Sequence, residues 1–372
     1  MQITIVAGAR PNFMKVAPII KEIQRVQDNG NDIYYRLVHT GQHYDQKMSG
    51  DFFDQLGIPD PDVNLACGGG SHAQQTAAIM LKFENELAAY RPDMVLVVGD
   101  VTSTMACAIT AKKMGIDTVH VEAGIRSGDV NMPEEINRMV TDAICDRYFT
   151  TSHFANHNLL DQKIDESKIH FVGNTMVDTL LQNIDRIKKP EFWDTHALEE
   201  GNYFLLTLHR PANVDDPEKL VKILNTISRA TRKFPIIFPV HPRTKNILES
   251  FEINTDKFIL IEPQAYLEFI YLIKNAKGII TDSGGITEEA TVLNIPCLTM
   301  RNTTERPETV FQGTNELVGD DFDKLKKYLE IILAGNWKNG NVPEKWDGKT
   351  SERIVEVLLA NMNYTPSNGK IY

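Results

Sequence analysis

Two series of short apolar runs, each alternating with longer amphipathic segments, follow one another along this chain. That rhythm constrains the fold more than any other feature. QITIVA at the start, YYRLVHT at 34–40, MVLVVGD at 94–100, TVHVEAG at 118–124 and RYFTTS at 147–152 have the length and β-branched content of strands. HAQQTAAIMLKFENELAAY at 72–90 and STMACAITAKKMG at 103–115 have helical patterning. The alternation restarts with YFLLTLH, PIIFPVH, FILIEP, KGIITDS and PCLTMR, with helical segments between them from residue 216 onward. Strands that alternate with helices make right-handed βαβ crossovers and parallel sheets. KKPEFWDTHALEEGN at 188–202 has little periodicity and separates the series, and the first series ends slightly earlier, near HFVGNTMVD. The expected fold is therefore α/β, with two Rossmann-like doubly wound domains, 1–171 and 172–349, facing each other across a cleft.

A length of 372 residues suits two such domains. The net charge of −11 argues against nucleic acid as a partner, which needs a basic surface, but leaves room for local basic pockets. The start, MQITIVAGARPNF, has no basic n-region, and no run approaches the ~20 apolar residues of a membrane span, so a cytoplasmic protein without a membrane partner is expected. Cys67, Cys107, Cys145 and Cys297 are scattered in or beside apolar segments, which predicts buried free thiols.

In doubly wound sheets, ligands bind beyond the carboxyl ends of the strands. Those ends here carry GARPNFMK, GD, EAGIRSGDVNMPEEINR, LHRPANVDD, PVHPRT, TDSGG and RNTTERPE, with His209 and His241 directly after apolar strands. In TDSGGITEEA the small residues suit any strand-to-helix corner, and acids near a helix start suit its dipole. The same stretch also suits a phosphate held on bare backbone N–H groups, with a glutamate on a sugar hydroxyl. Neither G-x-G-x-x-G, nor G-x-x-x-x-G-K-[ST], nor H-E-x-x-H, nor G-x-S-x-G occurs, so no nicotinamide, P-loop, metal or serine-hydrolase site is expected, and no cofactor. What remains is a set of cations (Arg10, Lys15, Arg138, Arg306), helix starts, and carboxylates (Asp100, Glu122, Glu134, Glu135). Cations and helix starts suit a diphosphate, carboxylates suit proton transfer, and a nucleotide-sugar would use both.

GARPNFMKVAP, TGQHYD, VVGDVTS, VEAGIRSGD, MPEEINR, LHRPANVD, PVHPRT, TDSGGITEEA and RNTTERPE, in this order, resemble the non-hydrolysing UDP-N-acetylglucosamine 2-epimerase family across essentially the whole chain. The resemblance implies a glycosyltransferase-B-like pair of domains, a C-terminal helix (350–372) that rejoins the first, and a homodimer. It implies interconversion of UDP-GlcNAc and UDP-ManNAc for polysaccharide precursors. Position by position, Asp100, Glu122 and Glu134 match the family's acid/base carboxylates, and His209 its catalytic histidine. Arg10, Lys15, Arg138 and His241 match positions near the sugar-diphosphate. Ser283, Gly284 and Gly285 match the diphosphate turn, Glu289 the ribose contact, Arg306 a phosphate-side arginine, and Phe269 a residue whose backbone meets the uracil. Glu288 is then expected to be a solvated or capping acid.

The chain also departs from the pattern. Ala9 and Asn12 stand where the family commonly has Thr and Glu, and Ala212 where Glu often follows His-Arg-x. GGGSHAQQTA at 68–77 resembles a branch acting on UDP-2,3-diacetamido-glucuronic acid, which makes that sugar an alternative. A UDP-dependent glycosyltransferase is a second alternative, since fold alone permits it. Bacterial members of the family use a second UDP-GlcNAc as activator. Gln42, His43, Gln75 and Arg210 match that site, but Gln74 replaces its arginine, so activation is expected to be weak or absent.

Overall fold

The structure is a computed structural model that describes residues 1–41, 53, 55–240, 242–250, 255 and 257–362, without the side chains of 242, 243, 361 and 362. The chain divides into one unit of Met1–Gln182 with Glu344–Tyr372, and a second of Asn183–Pro343.

The first unit holds β1 (Gln2–Ala7), α1 (Arg10–Asp28), β2 (Tyr34–His39), β3 (Val63–Asn64), α2 (His72–Ala89), β4 (Met94–Val98), α3 (Thr102–Lys113), β5 (Asp117–Ala123), α4 (Pro133–Ile144), β6 (Arg147–Thr150), α5 (His153–Asp161) and β7 (Ile169–Phe171). Its seven strands pair in the order β3-β2-β1-β4-β5-β6-β7, all parallel. Every residue of β4 is buried, as a strand covered by helices on both faces must be. Ile79, Phe83 and Leu87 recur at helical spacing on α2 and pack in one cluster with Val95 and Val97. Each such side chain contributes ~1.5–3 kcal/mol on burial. β4 ends at Val98, so Gly99 and Asp100 belong to the turn rather than to the strand.

The helix α6 (Thr175–Asn183) begins in the first unit, which therefore extends beyond the strand expected to close it. Asp178 on α6 accepts from the backbone N–H of Thr350 (3.0 Å) and Ser351 (2.7 Å). It thereby caps the C-terminal helix of the chain (Thr350–Met362), which packs against α1.

In the second unit, β8 (Phe204–Thr207), β9 (Ile236–Pro239), β10 (Phe258–Ile261), β11 (Gly278–Thr281), β12 (Cys297–Thr299) and β13 (Asn315–Leu317) form a six-stranded sheet, order β10-β9-β8-β11-β12-β13, all parallel. Its helices include α7 (Pro211–Val214), α8 (Pro217–Ala230), α9 (Pro242–Ser250), α10 (Tyr266–Lys274), α11 (Gly284–Val292), α12 (Pro307–Phe311) and α13 (Phe322–Leu333). Asp216 caps α8 through the N–H groups of Glu218 and Lys219, and Leu220, Ile223, Leu224 and Ile227 are its buried stripe.

In each sheet the strand order reverses once, between β1 and β4 and between β8 and β11. Those reversals are switch points, where crevices open beyond the strand ends. Among the described residues no helix is long and apolar enough to cross a membrane, and all four cysteines are buried and free.

Candidate active site

At the switch point of the first sheet, Gly8 makes a turn that no side chain fits: a Cβ there would lie 2.2 Å from Ser103 Oγ. Asn12 on α1 accepts from the backbone N–H of Gly8 (3.2 Å) and Ala9 (3.0 Å) and donates to the Val98 carbonyl (3.1 Å). It ties the β1–α1 turn to the end of β4, so this departure from the family pattern has a structural role of its own. Arg10 opens α1, and burial lowers its pKa.

Lys15 forms an ion pair with Glu122, which is 8% exposed. Glu122 has φ +71°, and the β5–β6 register shifts between Val121 and Ala123. The bulge re-aims this carboxylate at a strain cost of order 1–3 kcal/mol. On the adjacent strand end, Asp100 is ion-paired with Arg138. Arg138 also holds Glu135 at 3.0 Å, and Glu135 in turn accepts from the N–H (2.9 Å) and Oγ (3.0 Å) of Ser127. Glu135 is thus a buried brace, whereas Glu134 is exposed in the first turn of α4.

In the second unit, His209 follows β8 and Asp282 follows β11, on adjacent strands. His209 Nδ1 lies 2.8 Å from the Asp282 carboxylate. Asp282 also accepts from the backbone N–H of Arg210 (2.9 Å) and from Asn213 Nδ2 (3.1 Å). Burial works against its ionisation, but the bonds from His209, Arg210 and Asn213 hold its pKa below the usual carboxyl value. Arg210 Nε donates to the Asp282 carbonyl at 3.0 Å.

Ser283 is the N-cap of α11, and Gly284 and Gly285 are its first residues. A Cβ on Gly285 would meet nothing within 4 Å, and one on Gly284 nothing closer than 3.9 Å. The open start of a helix presents N–H donors and its positive dipole end to an anion. Arg306 is buried and ion-paired with Glu288. This corrects the expectation for Glu288: the helix turns it inward against a guanidinium instead of into solvent. Arg301 and Glu305 form a second buried pair beside Gly284, with two contacts of 2.7 Å.

Glu289, one residue on, is buried, and burial raises its pKa to about 8, the Tyr266 hydroxyl partly offsetting. The Phe269 N–H donates to the Ala265 carbonyl within the start of α10. On α2, Gln75 reaches the Cys67 carbonyl at 3.5 Å, while Gln74 closes a capping box with Ser71. Gln42, His43 and His241 lie outside the described residues. Among the described residues, no three His, Cys, Asp or Glu side chains are placed to share a metal ion.

The structure therefore gathers Lys15, Asp100, Glu122 and Arg138 at one switch point, and His209, Ser283, Gly284 and Gly285 at the other. Asp282 is the residue that sequence reasoning left without a role. Its only signal was a carboxylate directly after an apolar strand, with a histidine ending another.

Two doubly wound units with these strand orders place the chain among proteins built from paired Rossmann-like domains. The sequence model of the family described as UDP-N-acetylglucosamine 2-epimerase matches residues 25–359. A Methanocaldococcus jannaschii protein named UDP-N-acetylglucosamine 2-epimerase is 44% identical over 96% of this chain and 99% of its own length. A Pseudomonas aeruginosa UDP-2,3-diacetamido-2,3-dideoxy-D-glucuronate 2-epimerase is 37% identical, over 96% of this chain and 99% of its own. The crystal structure of the M. jannaschii enzyme in complex with UDP-GlcNAc and UDP superposes with a TM-score of 0.85 at 44% identity, covering 97% of this chain and all of that one. The chain belongs to the UDP-N-acetylglucosamine 2-epimerase family.

Proposed function

We propose that this protein interconverts UDP-N-acetylglucosamine and UDP-N-acetylmannosamine by eliminating and re-adding UDP through a 2-acetamidoglucal, for polysaccharide precursor synthesis. The observation that carries the reading is the placement of Asp100 and Glu122, each ion-paired, on adjacent strand ends at the first switch point. A C2 epimerase needs proton-transfer groups at both faces of a sugar ring, and a firm hold on the leaving nucleotide.

In the forward step the C1–O bond breaks and its electron pair leaves with UDP. A base takes the C2 proton, and the C2–H pair becomes the C1=C2 double bond. In the return step a proton reaches C2 from the opposite face and a UDP oxygen re-forms the bond to C1. Asp100, Glu122 and Glu134 are the acid/base carboxylates, with Lys15 and Arg138 setting the charge around the first two. His209, with Nδ1 engaged by Asp282, is left with Nε2 for proton transfer or for the leaving oxygen. The start of α11 and Arg306 hold the diphosphate, Glu289 the ribose and the Phe269 backbone the uracil, with Arg10 and His241 near the sugar-diphosphate. A homodimer is the proposed assembly.

The 2,3-diacetamido uronic acid remains a second reading because of the GGGSHAQQTA stretch and the P. aeruginosa relative. The higher identity to the M. jannaschii protein favours UDP-GlcNAc. The purified chain offered each nucleotide-sugar separately is expected to epimerise UDP-GlcNAc with the higher kcat/KM. A preference for the diacetamido uronic acid would reverse the assignment, and transfer of the sugar to an added acceptor would replace it.

A further inference from the structure

His120 and Asp142 are completely buried on β5 and α4, and neither side chain can reach a substrate. His120 Nδ1 lies 2.6 Å from Asp142 Oδ1, and its Nε2 lies 2.8 Å from the Gly99 carbonyl. A carbonyl only accepts, so Nε2 carries a proton and donates it there. The other Asp142 oxygen accepts from the Gly124 N–H at 3.1 Å and pairs with Arg126 at 2.7 Å. Burial works against the ionised Asp142, but His120 and Arg126 hold its pKa below the ordinary value.

These bonds end where the reaction is placed. Gly99 is joined by its peptide to Asp100. It sits at φ +69°, where a Cβ would lie 3.2 Å from Lys15 Nζ, 3.4 Å from Asn12 Nδ2 and 3.7 Å from Glu122 Oε2. Gly124 lies two residues beyond Glu122, on the far side of the bulge. One buried pair thus reaches the backbone next to Asp100, the strand carrying Glu122, and the helix carrying Glu134 and Arg138.

We propose that His120 and Asp142 are positioning residues for the reaction assigned above, fixing the Gly99–Asp100 peptide and the Glu122 bulge so that both carboxylates keep their places. The inference rests on that functional reading. Buried hydrogen-bonded pairs of this kind rigidify what they join, and a misplacement of about 1 Å at reacting groups can cost ~10²-fold in rate.

The test compares His120→Asn, whose amide is too short to reach the Gly99 carbonyl, with His120→Gln, whose amide reaches it. Turnover of UDP-GlcNAc and the Kd for UDP alone are measured for both variants and for wild type. The expected result is kcat lowered ~10²-fold in His120→Asn and less than ~10-fold in His120→Gln, with the UDP Kd within about twofold in both. Unchanged kcat in both variants, or a loss of UDP affinity that matches the loss of kcat, overturns the proposal. If neither variant folds, the wild type decides: in histidine-labelled protein the His120 Nε2 proton must exchange slowly and couple to the Gly99 carbonyl, and its absence overturns the assignment. A wild type that epimerises no UDP-sugar refutes the functional reading instead, which separates the two failures.

Discussion

The imidazole of His209 is fixed through Nδ1 to the buried carboxylate of Asp282, 2.8 Å away, across the point where the second sheet reverses its strand order. Asp282 also binds the His209 and Arg210 backbone and Asn213, so one carboxylate sets both the loop and the ring. Its charge keeps the ring proton on Nδ1 and leaves Nε2 as the working nitrogen. Asp282→Asn is expected to lower kcat by ~10²-fold or more, because the amide no longer dictates the tautomer. Turnover close to wild type would remove His209 from the proton-transfer scheme.

Arg306 has two tasks that can be separated. It neutralises buried Glu288, and in the proposed scheme it faces a phosphate. Arg306→Ala takes the guanidinium away from a buried carboxylate and is expected to cost ~3–5 kcal/mol of stability. The double change Arg306→Ala, Glu288→Ala should recover much of that stability and none of the UDP affinity. Urea unfolding and UDP titration of both variants provide the check. Affinity that returns with stability would mean that Arg306 does not touch the nucleotide.

Glu289 makes stability depend on pH with a definite sign. Its folded value is raised from 4.5 to about 8 by burial. Between those values the folded protein holds a proton that the unfolded chain has released, so stability from this residue falls as pH rises through the window. Glu289→Gln should therefore gain on wild type in urea midpoint as pH rises from 4.5 to about 8, with no further gain above that. Parallel midpoints across that range would show that Glu289 is solvated as an ion.

Activation by a second UDP-GlcNAc is expected to be weak or absent. Where an arginine would serve that site stands Gln74, occupied in the capping box of α2. The reverse reaction, started from UDP-ManNAc freed of its epimer, should begin linearly. A lag abolished by a trace of UDP-GlcNAc would contradict this.

Much of the architecture was legible because parallel strands buried on both faces must be continuously apolar, as Met94–Val98 is, and because their polar residues collect at the strand ends. Lys15, Asp100, Glu122 and His209 stand out as candidates that way. What stayed hidden depends on contacts distant in sequence or on backbone geometry. TVHVEAG reads as an unbroken strand, yet Glu122 is in the left-handed region at a bulge. His120 and Asp142 are 22 residues apart and look like ordinary members of a strand and a helix. Two adjacent glutamates near a helix start suggest dipole chemistry, but the packing of α11 buries both Glu288 and Glu289. Asn12 reads as a lost carboxylate and turns out to lock the first switch point.

Elimination and re-addition of UDP require the C2 hydrogen to exchange with solvent. Purified protein is incubated with UDP-GlcNAc in heavy water, without added nicotinamide or metal, and the sugar is followed by proton NMR. UDP-ManNAc should form with solvent deuterium at C2 of the product. Epimer that retains its original C2 proton would contradict elimination.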